Sequence, residues 1–472
     1  MGGLRFALAL LLACASGSMS HAANGQDAAA IVSNDAATEE IITTAEPAED
    51  ADTLELDTAK ALKATTLYAF RGLANGRFAR GGLASDEDGN IYGTLYYDGA
   101  CDPCGLVYML RKPTKGQTKW TFSILVKFSN VPGNGFAPTG KLLFHDGAIY
   151  GTTTVGANSA CGCGSVFKLR PLNAGKTQWA FTYIYRFQNT QDGAQPVGGV
   201  IFGKDGAVYG TTSRGGKNGG GTVFRLTGSG NSDWKKTTLH SFEAGFSGPQ
   251  GELAFGKDGA LYGNTYGGGK YRVGVVFQMT GKGNNWKYKV LYNFRGIYQG
   301  FGSTDGADPE GHLTFGQDGL LYGTTTVGGG VKDSGTIFSL KKPKAGKTQW
   351  TYKVIHRFQG GPSDGTYAHS GLTLSSTGAL YGTTAGGGPN GGGTVYRLTP
   401  KANGSYDFSL VHTFVPRSKN GDDPNAGVII RGKTLYGPTL TGGLINPGAL
   451  KDGKADEPGC RDGCGVVYQL TP

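Results

Sequence analysis

Seven copies of Tyr-Gly recur at near-constant intervals, and no other feature constrains this chain so tightly. They begin at Tyr92, Tyr150, Tyr209, Tyr262, Tyr322, Tyr381 and Tyr436, spaced 58, 59, 53, 60, 59 and 55 residues apart. Such a period marks a repeat architecture, in which each unit buries its apolar face against its neighbours. It has to be settled before any short motif is trusted.

Each unit carries three further elements. After Tyr-Gly come a glycine-rich loop and an alternating strand, "GSVFKL" from Gly164, "GTVFRL" from Gly221 or "GTVYRL" from Gly393. An aromatic strand follows, such as "WTFSILVKF" or "WKYKVLYNF". All five tryptophans (Trp120, Trp179, Trp234, Trp286, Trp350) open it, and Tyr406 takes that place in the sixth unit. Before Tyr-Gly, a short strand meets an Asp-Gly turn of the hairpin kind, as in "GELAFGKDGALYG". Four short strands per unit, seven units and no helical periodicity predict an all-β chain, a seven-bladed β-propeller with four-stranded blades. The last unit ends at "GVVYQLTP" without an aromatic strand, while an unattached copy, "TTLYAF" (residues 65–70), precedes the first. That N-terminal strand is expected to complete the last blade and close the ring, removing two free edges.

The pattern "LYGTT-x-x-GG…G-T-V-F", with aromatic strands between copies, resembles the GloVer-type tandem repeat of exported choice-of-anchor proteins over roughly residues 65–471. The resemblance implies a bacterial, surface-directed, β-propeller-like protein whose anchor varies among members. It implies no particular activity. Some members end in a sorting tail; here the chain ends at Pro472, so an anchor would fall to Cys14.

The N-terminus agrees with export. Arg5 precedes an apolar run from Phe6 to Ala13, too short to span a bilayer. Ser20-His21-Ala22 suits cleavage after residue 22, whereas "LLAC" resembles a lipobox, with cleavage after residue 13 and lipid on Cys14. Both readings stand. Residues 23–63 hold ten acids and two lysines and read as a disordered, solvated tether, leaving 64–472 as the propeller. Setting aside the −8 of that segment and the +1 of Arg5, the chain's +10 leaves a body of +17. A basic body on an acidic stalk suits an anionic neighbour, such as an acidic polysaccharide, lipopolysaccharide or nucleic acid, though it also simply aids solubility. No run of Lys and Arg interleaved with aromatics points to nucleic acid.

In a propeller the glycine-rich loops and the blade-crossing loops share one face. Six of the seven crossing loops begin with Asp or Asn before Gly, at Asn75, Asn134, Asp192, Asp305, Asp364 and Asn420; the fourth reads "FSGPQGEL". These residues are turn formers or a ring of oxygens for sugar hydroxyls or a cation. The fifth loop, "STDGADPEGHL", gathers Asp305, Asp308, Glu310 and His312, a set suited to acid/base hydrolysis or to calcium. His240, His356 and His412 share the slot of Tyr68, Tyr185 and Tyr292, which calls for a flat side chain rather than a base. Three cysteine couples, Cys101 with Cys104, Cys161 with Cys163 and Cys460 with Cys464, sit in glycine-rich loops and read as local disulfides, cross-blade bridging being the alternative. Gly-Lys-Thr at 175–177 and 346–348 lacks the upstream glycine and the following helix of a phosphate loop.

The expectation is an exported, non-enzymatic binding or scaffold protein of the periplasm, outer membrane or cell surface. Its partner would be an anionic or neutral polysaccharide or an envelope protein, bound by a monomer without a cofactor. A polysaccharide lyase or hydrolase using the fifth loop, and a purely structural envelope protein, are the alternatives.

Overall fold

The computed structural model describes residues 30–33 and 62–472, apart from 73–74, 99–103, 130, 132–133, 158–160, 189–190, 231, 245–247, 299–300, 303–304, 331, 445–459 and 461. The export signal, Cys14, most of the acidic segment and Cys101 lie outside the described residues.

Blade one consists of Ala84–Ser85, Ile91–Leu95, Leu106–Arg111 and Thr121–Lys127, antiparallel and hydrogen-bonded in that order. Five more blades repeat this plan, with innermost strands Leu143–His145, Ile201–Phe202, Ala254–Phe255, Thr314–Phe315 and Thr373–Leu374. Blade seven takes Ile429–Arg431, Thr434–Pro438 and Val466–Thr471 from one end of the chain and Lys63–Ala69 from the other. Lys63–Ala69 lies antiparallel to Val466–Thr471, with Thr66 opposite Tyr468. The fold is therefore a seven-bladed propeller closed by an N-terminal strand, as the repeats predict.

The core lies between blades. Seven apolar clusters each join two neighbours, one per junction around the ring. The junction of blades seven and one buries Leu67, Tyr68 and Phe70 against Ile91, Leu106 and Tyr108.

The Tyr-Gly motif has a packing cause. Its glycine sits opposite an aromatic of the third strand in every blade, Gly93 opposite Tyr108, Gly263 opposite Phe277 and Gly437 opposite Tyr468 among them. The far end of the ring reaches over the glycine, and a Cβ there would fall 2.4–2.5 Å from its Cζ in all seven cases. The tyrosine is buried in six blades, and in four its hydroxyl donates to the Asp of the preceding hairpin turn, at 2.8 Å for Tyr92 and Asp86 and 2.9 Å for Tyr209 and Asp205. The next blade's tryptophan packs edge-on against that tyrosine, as in Tyr92 with Trp179 and Tyr262 with Trp350, both 5.9 Å between centroids. Four of the five tryptophans, Trp120, Trp179, Trp286 and Trp350, make this contact, so one packing requirement recurs in one slot.

The His/Tyr slot lies beside a bulge in the outer strand, where His356 faces Ile337 and Tyr292 faces Val276. Four of the six rings stack on an aromatic of the next blade, among them His240 on Tyr288 at 4.0 Å and His356 on Phe408 at 3.8 Å. Flatness is what the position demands.

Two cysteine couples are bonded locally, Cys161 to Cys163 and Cys460 to Cys464; Cys104 is disulfide-bonded as well. The Gly-Lys-Thr stretches are hairpin turns, and Lys176 reaches across to Asp86 and Asp88 of blade one, at 2.5 and 2.6 Å. Ala30–Ser33, inside the segment read as a tether, lies antiparallel along the outer strand of blade two, with Val32 opposite Trp179. An outer strand leaves one row of backbone groups unpaired, and Ile31-Val32 supply β-branched residues suited to pairing with it.

Candidate functional site

The crossing loops enter the blades through a three-residue segment with a small residue at its centre. Gly140, Gly198, Gly251 and Gly311 hold that place in blades two to five. A Cβ on any of them would fall 2.4–2.8 Å from the corresponding backbone of the next blade. The segments therefore close around the axis backbone to backbone. Threonines and an asparagine fasten them from behind: Thr152 Oγ1 donates to the Gly198 carbonyl (3.0 Å), Asn264 Nδ2 to that of Gly311 (2.7 Å) and Thr324 Oγ1 to that of Ser370 (2.8 Å).

The residues flanking each small one line an axial cavity of about 160 Å³. On one side stand Arg80, Thr139, Val197, Gln250, Glu310, His369 and Asn425; on the other, Lys141, Glu252 and His312 share the row with glycines. Two acid–imidazole pairs bridge adjacent blades. Glu252 Oε2 lies 3.2 Å from His312 Nδ1, and Glu310 Oε2 lies 2.5 Å from His369 Nδ1. His312 Nε2 faces the Leu372 carbonyl at 3.2 Å, so both of its ring nitrogens meet oxygen acceptors. Burial opposes the charge on Glu252, yet His312, Lys141 and the Gly199 N–H hold its carboxyl down at about 2. Burial also works against the His369 imidazolium, but the bond and charge of Glu310, with the charge of Asp423, leave that ring above its ordinary value. Just outside the cavity, Asp308 and Asp423 occupy left-handed backbone positions (φ 54° and 56°). Burial first, then a neighbouring carboxylate (Glu310 for one, Asp422 for the other), lifts each to about 6.

The four fifth-loop candidates thus take separate places. Glu310 and His312 line the cavity, each paired with a neighbouring blade rather than with the other. Asp308 lies beside it, bonded by Tyr266. Asp305 is buried and takes the Tyr292 hydroxyl at 2.5 Å.

The Asp/Asn-Gly residues mostly hold their own loops. Asp192 accepts from Tyr185 Oη (2.8 Å), Gln188 N (2.9 Å) and Lys236 Nζ (2.8 Å). Asp364 accepts from Gln359 N (2.9 Å) and meets His356 Nε2 at 3.0 Å. Asn75 is buried, accepting from Arg71 N at 2.7 Å and donating to Tyr68. Asn134 and Asn420 are exposed. Among the described residues no set of three His, Cys, Asp or Glu is placed to hold a metal ion.

Glu252, Arg80 and Lys141 went unread in the sequence. The signal for them was present in the crossing loops, where the slot of Arg80 holds a different residue in every unit and that of Lys141 and Glu252 departs from the glycine of four others.

Residues 137–359 and 237–451 match the Gloeobacter/Verrucomicrobia repeat. The chain belongs to that family. None of the curated proteins matches it. Among solved structures, the Gloeobacter/Verrucomicrobia repeat chain is similar to an α-L-arabinanase of Penicillium chrysogenum complexed with arabinobiose. That likeness is at 14% identity and TM-score 0.41, over 74% of this chain and 98% of that one. A protein of unknown function from Dyadobacter fermentans is similar at 13% identity and TM-score 0.42, over 88% and 99%. A candidate 6-phosphogluconolactonase of Bacteroides uniformis is similar at 15% and 0.47, over 73% and 86%. At these identities and scores the likeness says nothing about activity.

Proposed function

We propose that this repeat protein is an exported, non-enzymatic binding propeller of the bacterial envelope that takes a carbohydrate at its axial mouth. One observation carries the reading. Where the scaffold is at stake the blades are nearly equal, with Gly under aromatic in all seven, Tyr on Asp in four and Trp on Tyr at four junctions. At the axial mouth equivalent positions hold Arg80, Thr139, Val197, Gln250, Glu310, His369 and Asn425. A packing requirement repeats with the fold, whereas recognition of an asymmetric ligand requires that the slots differ. A polar wall of carboxylate, imidazole and amide groups suits hydroxyl-rich molecules.

The test is a glycan array probed with the full exported chain and with Glu310→Ala. Binding to one glycan class, lost in the variant, is the expected result. Silence across the array, or binding indifferent to Glu310→Ala, would sink the carbohydrate reading.

One observation favours a second reading, a polysaccharide-cleaving enzyme. Asp308 at about 6 and Glu252 at about 2 are carboxyls whose titrations are driven apart, so in mildly acid solution the first keeps its proton while the second is ionised, the division of labour that acid/base hydrolysis needs. Release of reducing ends from a bound polysaccharide, abolished by Asp308→Asn, would establish it.

A further inference from the structure

We propose that the axial cavity recognises a sugar-borne oxyanion, carboxylate or phosphate, through Arg80 and Lys141. The inference rests on the carbohydrate reading above and narrows its ligand class. Both acids that line the cavity are already engaged by imidazoles, Glu252 by His312 and Glu310 by His369. The two cations are not so engaged. Neither Arg80 nor Lys141 makes a hydrogen bond or an ion pair among the described residues, although both line the cavity. The Arg80 guanidinium instead lies over the Tyr96 ring, 4.6 Å from its centroid, which fixes its plane and leaves its forked edge for a ligand. The stem of Lys141 rests beside Gly82, where a Cβ would meet its Cγ at 3.0 Å, so glycine makes room for it.

Each cation feels the charge of one carboxylate through space, Lys141 that of Glu252 and Arg80 that of Asp423, but neither is bonded to it, so the donors of both are left for a ligand. The neighbouring slots show that the fold does not need these charges: Thr139 and Val197 stand where Arg80 does, and Gly199 where Lys141 does. About 160 Å³ is well below the roughly 300–1,000 Å³ of a drug-sized ligand pocket, so one terminal sugar unit enters rather than a chain. The body's surplus of basic charge would draw acidic glycans to the protein.

His369 tunes the site. It faces Glu310 and Asp423, and Arg80 lies within the field of Asp423. With its proton bound it adds a third positive group. Because its affinity for that proton is raised, oxyanion binding weakens as pH rises through and above the ordinary imidazole range.

The experiment is calorimetric titration of the full chain with digalacturonate, galactose 1-phosphate, neutral galactobiose and inorganic phosphate, at low and high salt. One of the sugar anions is expected to bind at a single site at least about tenfold tighter than galactobiose. Arg80→Thr, borrowed from the neighbouring blade, and Lys141→Met should each weaken it by about tenfold or more, with melting temperature unchanged. Which anion wins separates a uronate from a sugar phosphate. Equal binding of galactobiose, unaffected by either variant, overturns the oxyanion inference and leaves the carbohydrate reading standing. Inorganic phosphate bound as tightly as any sugar, and lost in both variants, keeps the anion site and overturns its sugar ligand. Binding that high salt abolishes while both variants retain it belongs to bulk charge and overturns the site.

Discussion

One side chain does opposite work at two places in this ring. His369 lies between acids at the axis and holds its proton more tightly than usual, while His412 is packed beside Phe414, 4.6 Å between centroids, where burial pushes its imidazole down to about 4. The second case has a consequence for stability. In the unfolded chain His412 takes a proton near the ordinary value of 6.5, whereas the folded chain refuses it until about 4. The unfolded state therefore binds more protons across that window, and stability is lost as pH falls through it. Sister blades place Tyr68, Tyr185 and Tyr292 in the same slot, so His412→Tyr should fit. Melting temperatures of the two proteins should differ little above pH 7, with the variant pulling ahead between about 6.5 and 4. A gap that stays constant over the whole range would refute the assignment.

At the scale of the blade, the repeating motif is a contact rather than a turn. Gly263 is glycine because the Phe277 ring occupies the place of its Cβ, at 2.5 Å. Gly263→Ala is an overpacking change inside a pair of central strands and should cost about 1–3 kcal/mol. Adding Phe277→Leu, which removes the ring, should make the alanine nearly neutral in a double-mutant cycle followed by denaturant melts. Additive losses would mean that the glycine serves some other purpose. The same contact explains why the fold was legible from sequence: glycine, aromatic, tryptophan and Asp-Gly recur in step, and each recurrence is a physical contact. The site was less legible for the complementary reason. Asp364 and Asp192 caught the eye because they repeat, and they repeat because they bond their own loops. Glu252 sits in the one crossing loop that breaks the Asp/Asn-Gly pattern, and its partner His312 is 60 residues away in the chain. Pairing across blades leaves no local spacing to read.

For the whole molecule, everything depends on the ring being shut. Lys63–Ala69 contributes to two junctions at once: Leu67, Tyr68 and Phe70 pack toward blade one, while Leu62 belongs to the cluster joining blades six and seven, with Ala64 and Ala69 packed against it. Burying side chains of this kind yields about 1.5–3 kcal/mol each. Four of them account for a sum comparable with the roughly 5–15 kcal/mol that separates a folded domain from its unfolded chain. A chain beginning at Leu62 lacks the edge strand at Ala30–Ser33 but keeps every closing contact, and it should melt in one transition close to that of the full chain. A chain beginning at Arg71 should lose the cooperative transition and associate through the bared edge of Val466–Thr471. Adding a peptide of residues 62–70 should restore the transition in proportion to its occupancy, because strand pairing and the Phe70 contact need no covalent link. If the chain beginning at Arg71 melts cooperatively at an unchanged temperature, the other six blades hold themselves, and the N-terminal strand only decorates a ring already closed.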